Sequence, residues 1–297
     1  MTTHAQAWPA PNLKRDPTVP HVQTPSLRLY YELEGDPAAP PLVLIAGQGA
    51  QLTSWHPELR HLLIEQGFQL ILFDNRDVGL STKWQSGSHY EISDMANDVA
   101  ELLDALEIDA AHVVGQSMGG MVAQQLTIDH PMRVLSLCSI YSAPSIEHLG
   151  DDPEVWAIRE QEPATERESA IAQYIERESL CGLAEYTPEW IRAHAEATYD
   201  RCYCPEGADR QMAAVRSSPD RTLGLRQVNV PTAVLHGLAD RLIDTSGGYA
   251  TALAVPGAEL HTYADMGHQL VPSLFGDYVR VITRNISRAQ ERVHTHA

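Results

Sequence analysis

Long apolar runs are missing from this chain. Its first 26 residues, MTTHAQAWPAPNLKRDPTVPHVQTPS, contain no apolar core of the roughly 7–15 residues that a secretory signal needs, and no later stretch approaches a membrane span. A cytoplasmic location is therefore expected. Cysteine is scarce: four occur, Cys138 in an apolar strand-like run and Cys181, Cys202 and Cys204 in the middle of the chain. Cys202 and Cys204 form a C-x-C, but no second Cys or His pair stands at zinc-site spacing, so reduced thiols and no bound metal are expected. Positive charge is in short supply as well. Lys and Arg total 21 against 39 Asp and Glu, a net of −18 with a pI near 5.1. The resulting negative field disfavours nucleic acid and anionic membrane as partners and leaves neutral or cationic small molecules. The oligomeric state is not legible in these features.

What is present fits a globular domain, with a hydrophobic fraction of 43% and a charged fraction of 20%. A chain of 297 residues buries one large core, or one core carrying an inserted smaller unit. Residues 1–25 hold five prolines and no apolar periodicity, which predicts a loose tail. Strand and helix patterns then alternate. LRLYYELEG, PLVLIAG, LILFD, AHVVGQS and RVLSLCSIY read as strands, and Ile92, Met95, Val99, Leu102, Leu103 and Leu106 share one face of a helix over about 91–107. Strands rich in Val, Leu and Ile without polar alternation suit a mostly parallel, doubly wound sheet covered on both faces.

Residues 143–225 break this rhythm. They are Glu/Arg-rich and helical, with 17 Asp and Glu against 8 Arg and no Lys, a net of −9 that is half the whole-chain excess. This predicts a helical insert with an acidic outside, so that 26–142 and 226–297 form the α/β core. The strand pattern returns at TAVLHG and AELHTY, and a last helix from about Pro272 carries Arg280, Arg284, Arg288 and Arg292 on one face, read as solvated.

Gly115-Gln116-Ser117-Met118-Gly119 is a G-x-S-x-G placed after an apolar strand and before a helix. A serine on so sharp a strand-to-helix turn adopts strained backbone angles, and its neighbours two residues away must be tiny. Serine is a weak nucleophile and needs a base that is itself oriented by an acid. Asp240 ends the strand in H-G-L-A-D and is the expected acid. Asp244, a turn further on, is the competitor. His268 follows the last strand in M-G-H and is the expected general base, chosen from 14 histidines by the order Ser, Asp, His with each at a strand end. The loop Ala46-Gly47-Gln48-Gly49-Ala50 follows the strand at 42–45, and the N–H groups of Gln48 and Met118 are the expected oxyanion donors, with Gly49 next in line. Asp74 to Ser81, DNRDVGLS, reads as a structural loop at the same sheet edge.

Together the A-G-Q-G loop, D-x-R-x-x-G-x-S, G-Q-S-M-G-G, H-G-x-x-D and G-H resemble the α/β-hydrolase superfamily over residues 27–290, and most closely the esterase branch that includes aclacinomycin methylesterase. The resemblance implies an α/β-hydrolase fold with 143–225 as a helical cap, and a serine hydrolase that cleaves a carboxylic ester, such as a methyl ester of a hydrophobic or polyketide-like substrate, without a cofactor. Many relatives carry His-Gly where this chain has Ala46 and Gly47; a backbone donor survives that change. Serine rather than Asp at 117 argues against dehalogenase and epoxide hydrolase chemistry. Two other readings use the same residues: hydrolysis of a C–C bond in a ring-cleavage diketone, and a ligand receptor that does not turn over.

Overall fold

The computed structural model describes residues 21–182 and 185–295. Eight strands form a sheet in the order β1-β2-β4-β3-β5-β6-β7-β8, namely β1 His21–Gln23, β2 Arg28–Glu34, β3 Pro41–Ile45, β4 Gln69–Phe73, β5 Ala111–Gln116, β6 Val134–Ile140, β7 Thr232–Gly237 and β8 Glu259–Tyr263. β1 and β2 pair antiparallel to their neighbours and the pairs from β4 to β8 are parallel. Residues 1–20 of the expected tail lie outside the described residues. The rest of that tail is structured, because His21 and Val22 pair with Tyr30 and Leu29 and the Thr24 hydroxyl accepts the N–H of Leu27 at 3.2 Å to close the hairpin.

Alternation along the central strands explains the layering, since successive side chains point to opposite faces. Val43, Ile45, Ile71, Phe73 and Val113 are buried against α2 Ile92–Ala105 and α3 Met118–Asp129. Leu42, Leu44, Leu70, Leu72 and Val114 are buried on the other face against α1 Pro57–Glu65 and α10 Phe275–Thr295. Both faces being apolar, the strands show no polar alternation. α2 starts where the Asp94 carboxylate accepts the Glu91 N–H at 2.8 Å, which satisfies a backbone donor ahead of the first turn. Of the α10 arginines, Arg280 and Arg284 are largely exposed, as expected, while Arg284 also reaches both Glu259 oxygens at 3.0 Å and the partly buried Arg288 donates to Gly257 O at 2.6 Å, fastening the helix beside β8. The side chain of Arg292 lies outside the described ones. Among the described residues no helix is long and apolar enough to cross a membrane.

Between β6 and β7 run α4 Pro153–Arg159, α5 Arg167–Cys181, α6 Pro188–Arg201 and α7 Pro205–Ser217. Three of these begin on proline, whose fixed φ and missing N–H suit a first helical position, and Asp152 and Thr187 cap α4 and α6 with their side chains. α8 Thr222–Leu225, expected within the insert, packs instead with α9 Thr245–Ala254 and α3, so the chain has rejoined the core before residue 225.

The loop after β4 holds these helices to the core. Asp74 is fully buried, and its carboxylate accepts the N–H groups of Leu52 (2.9 Å) and Leu80 (2.7 Å) while pairing with Arg201 of α6 at 2.8 Å. Asp77 pairs with Arg210 of α7 at 2.8 Å. Asp74→Ala leaves a partly buried guanidinium, the buried Leu52 N–H and the part-buried Leu80 N–H short of a partner. We expect it to cost about 3–5 kcal/mol in denaturant unfolding. A loss below about 1 kcal/mol would remove Asp74 from this anchoring role.

Candidate active site

Ser117 joins β5 to α3 with φ 55° and ψ −123°, a left-handed conformation that L-residues avoid. The turn is enforced by close packing. A Cβ at Gly115 would lie 2.1 Å from Gly119 O, and one at Gly119 would lie 2.2 Å from Ile45 O, so only glycine fits at either site. The Ser117 N–H donates to Ile140 O at 2.9 Å, which ties the elbow to the end of β6. The hydroxyl is thereby presented at the carboxyl edge of the sheet.

There it meets the two residues expected from strand ends. The Ser117 hydroxyl lies 2.8 Å from His268 Nε2, and His268 Nδ1 lies 2.8 Å from Asp240 Oδ2. A carboxylate only accepts, so Nδ1 carries the proton toward Asp240 and Nε2 is left to receive the hydroxyl proton. The other Asp240 oxygen accepts the N–H groups of Leu242 and Ile243, both at 2.9 Å, and His236 stands 3.5 Å from Oδ2. Burial works to raise the Asp240 carboxyl, but its interaction with His268 and the surrounding hydrogen bonds outweigh it and hold it well below the usual carboxylate range. Asp244 does something else: its side chain accepts the Ser246 N–H at 2.9 Å and caps α9.

Gly47 lies beside Ser117, close enough that a Cβ there would stand 3.3 Å from Ser117 Cβ. Within this loop the Ala50 N–H donates to Gly47 O at 3.2 Å and the Gly49 N–H to Gln211 Oε1 at 2.7 Å. Gly49, next in line as oxyanion donor, is thus already committed elsewhere. Among the described residues no acceptor meets the N–H of Gln48 or of Met118, the latter at the open first turn of α3. The Gln48 side chain is engaged as well: its Nε2 donates to Ala208 O at 2.7 Å and its Oε1 accepts from Arg159.

Several neighbours escaped sequence reasoning. Tyr141, at the end of β6, donates to Gln116 Oε1 and its ring lies 4.7 Å from that of His268; a strand-end position was the available signal. Gln269, next to the histidine, donates to Glu178 of α5 at 2.6 Å, and Tyr186 donates to Leu270 O at 2.7 Å. Burial pushes the Glu178 carboxyl up, against the pull of Arg159, Arg177 and the Gln269 hydrogen bond. On α6, Trp190 stacks on Tyr186 at 4.2 Å and on His194 at 5.0 Å. These lie in the helical stretch, where polar residues at helix spacing give no sign of which face turns inward.

A hydroxyl, an imidazole with a free acceptor nitrogen and an oriented carboxylate can generate an alkoxide-like nucleophile, and two unengaged N–H groups can receive the negative charge on an attacked carbonyl. Residues 40–272 match the α/β hydrolase fold family. The chain belongs to that family. Its relatives include a rhodomycin D methylesterase of Streptomyces peucetius, 27% identical over 82% of this chain and 89% of that protein. A second rhodomycin D methylesterase, from Streptomyces sp. strain C5, is 41% identical over a shorter stretch that spans 37% of each. A putative carbamate hydrolase of Serratia proteamaculans is 26% identical over 82% of this chain and 90% of that one. Among solved structures, an esterase from Exiguobacterium antarcticum superposes with a TM-score of 0.75 at 21% identity, covering 90% of this chain and 98% of that one. The fold and the resemblance to the methylesterase branch, drawn above from motifs, agree with these matches, and the chain is a hydrolase of this family.

The two acids make opposite predictions. Asp240→Asn turns the imidazole to the wrong tautomer and should lower kcat about 10⁴-fold. Asp244→Asn, which touches a helix cap, should stay within about threefold of wild type in kcat and lose no more than about 1 kcal/mol of stability. The reverse order in steady-state kinetics would transfer the acid to Asp244.

Proposed function

We propose that this hydrolase cleaves a carboxylic ester through an acyl-enzyme, with Ser117 as nucleophile, His268 as general base and Asp240 as the orienting acid. The observation that carries this reading is the continuous relay from Ser117 Oγ through His268 to Asp240, with both links at 2.8 Å. His268 takes the Ser117 proton as Oγ attacks the ester carbonyl, and the N–H groups of Gln48 and Met118 receive the developing oxyanion. The tetrahedral intermediate collapses, the alcohol leaving with the proton from His268. Water, deprotonated by the same nitrogen, then attacks the acyl-enzyme and releases the acid. α4 to α7 act as a cap that limits bulk water and shapes the acyl and alcohol sites.

An ester is favoured over a diketone by the named activity of the methylesterase relatives, and a methyl ester of a hydrophobic, polyketide-like acid is the substrate class that follows from them. The proposal places the enzyme in the cytoplasm, supported by free thiols at Cys138, Cys202 and Cys204. Its partner is a small-molecule ester, neutral or cationic, with no metal or organic cofactor taking part.

Ser117→Ala should lose roughly three or more orders of magnitude in kcat on the best of a panel of p-nitrophenyl esters and aromatic methyl esters, while melting like wild type. A fluorophosphonate should label wild type alone. Turnover unchanged in the mutant would end the assignment, as would rapid cleavage of ring-cleavage diketones by an enzyme inert toward every ester.

Gln48 offers a separate test of the oxyanion loop. Gln48→Ala retains the N–H and gives up only the bonds to Ala208 and Arg159, so it should lose less than about tenfold in kcat. Gln48→Pro deletes the donor and should lose about 10²–10³ in a protein whose melting curve shows it folded. Equal losses in the two variants would give the side chain a direct part in the reaction.

A further inference from the structure

The oxyanion loop is held from the cap. Gln211 lies on α7, fully buried, with its Oε1 accepting the Gly49 N–H at 2.7 Å and its Nε2 donating to Arg76 O at 2.7 Å. One turn earlier on the same helix, Ala208 O accepts from the Gln48 side chain at 2.7 Å. Positions three apart share a helix face, so α7 grips two consecutive residues of the loop at once. Gly49 has φ +70°, and a Cβ there would stand 3.1 Å from Ala208 Cβ, which shows how closely the helix lies against this turn. α7 is itself fixed independently, because Arg210 contacts both Asp77 carboxylate oxygens at 2.8 and 2.9 Å. From the core side, Asn75 Nδ2 donates to Ala46 O at 3.1 Å.

These contacts decide which donor is offered to the substrate. Adjacent N–H groups in a tight turn point in different directions, and a flexible glycine beside Gln48 could swing either one toward Ser117. With the Gly49 N–H engaged by Gln211, the Gln48 N–H is the one left open. We infer that Gln211 is a positioning residue for the reaction: it acts from the cap to hold the 47–50 turn so that the Gln48 N–H, and not that of Gly49, faces the carbonyl attacked by Ser117. The inference rests on the esterase reading given above. It assigns α7 a part in transition-state stabilisation in addition to covering the site.

Gln211→Leu removes both hydrogen bonds at similar side-chain length, and Gln211→Glu restores an acceptor for the Gly49 N–H. Each variant would be compared with wild type on an oxygen ester and on the matching thionoester, whose sulfur is a weak acceptor and draws little from an oxyanion hole. For Gln211→Leu we expect kcat on the oxygen ester to fall by about ten- to hundredfold, as a donor displaced by around 1 Å does, with KM within about threefold. The loss on the thionoester should be markedly smaller, and Gln211→Glu should recover part of the oxygen-ester rate. A folded Gln211→Leu enzyme with wild-type kcat overturns the inference. So do equal losses on the two esters, which would mark a merely structural residue. Hydrogen exchange of the Gly49 amide keeps the idea testable where Gln211→Leu fails to fold: strong protection in wild type supports it, and exchange as fast as an open loop overturns it. A wild-type protein that is neither labelled at Ser117 by fluorophosphonate nor active on esters refutes the esterase reading instead, and the protection of Gly49 is then still read directly.

Discussion

Everything at the catalytic edge depends on the forced turn at Ser117. A strand must stop, reverse its backbone through a left-handed residue and enter a helix within one peptide, with the carbonyl of Ile45 pressed against Gly119 and that of Gly119 against Gly115. Strain of this kind, of order 1–3 kcal/mol, persists only where the surroundings over-determine it. Here they do so from three sides, through β3, β6 and α3. The same crowding brings the loop after β3 beside the hydroxyl, so Ser117 and the backbone N–H groups around it are placed by one packing event rather than by separate solutions.

Polar residues then do by hydrogen bonding what the apolar core does by packing. Asp240 is fixed by two backbone N–H groups and by His268, and it remains charged although burial opposes that. A charge held in a site of low dielectric keeps its grip on the imidazole far better than the same pair in water. Asp74 and Asp77 repeat this arrangement one loop away, where carboxylates buried completely on the core side receive arginines from α6 and α7. Ionic pairs and apolar packing together join the two halves of the molecule, since Ala214 and Val215 of α7 are buried in the same core as β3, α2 and α3.

Those differences in how each part is built determine what could be read from the residues alone. The meeting of Ser117, Asp240 and His268 was legible because each lies on the segment leaving a strand, and a parallel sheet brings its carboxyl ends to one edge. The loop around Gln48 was legible for the same reason. β1 was not, since three residues carry no alternation to detect. Gln211 and Glu178 were not legible either, because each acts across a long sequence separation from a helix whose polar residues look like a solvated face. The Gln48 side chain was underestimated on the same ground: its partners, Ala208 and Arg159, belong to elements whose inward face the composition does not reveal. Arg288 shows a milder version, partly buried against Gly257 O while its neighbours in the basic stripe stay exposed.

Several of the hydrogen bonds that fasten the stretch from Tyr186 to Gln211 to the core have a main-chain atom as one partner. Gln51 reaches the carbonyls of Thr198 and Cys202, Tyr186 that of Leu270, Gln48 that of Ala208, and Gln211 the N–H of Gly49 and the carbonyl of Arg76. A peptide group is the same whatever residue carries it. Mutational drift at Thr198, Cys202 or Ala208 therefore leaves the anchors in place as long as the helices keep their path. The side chains of this region can therefore change without disturbing the backbone contacts that hold the helices beside Ser117.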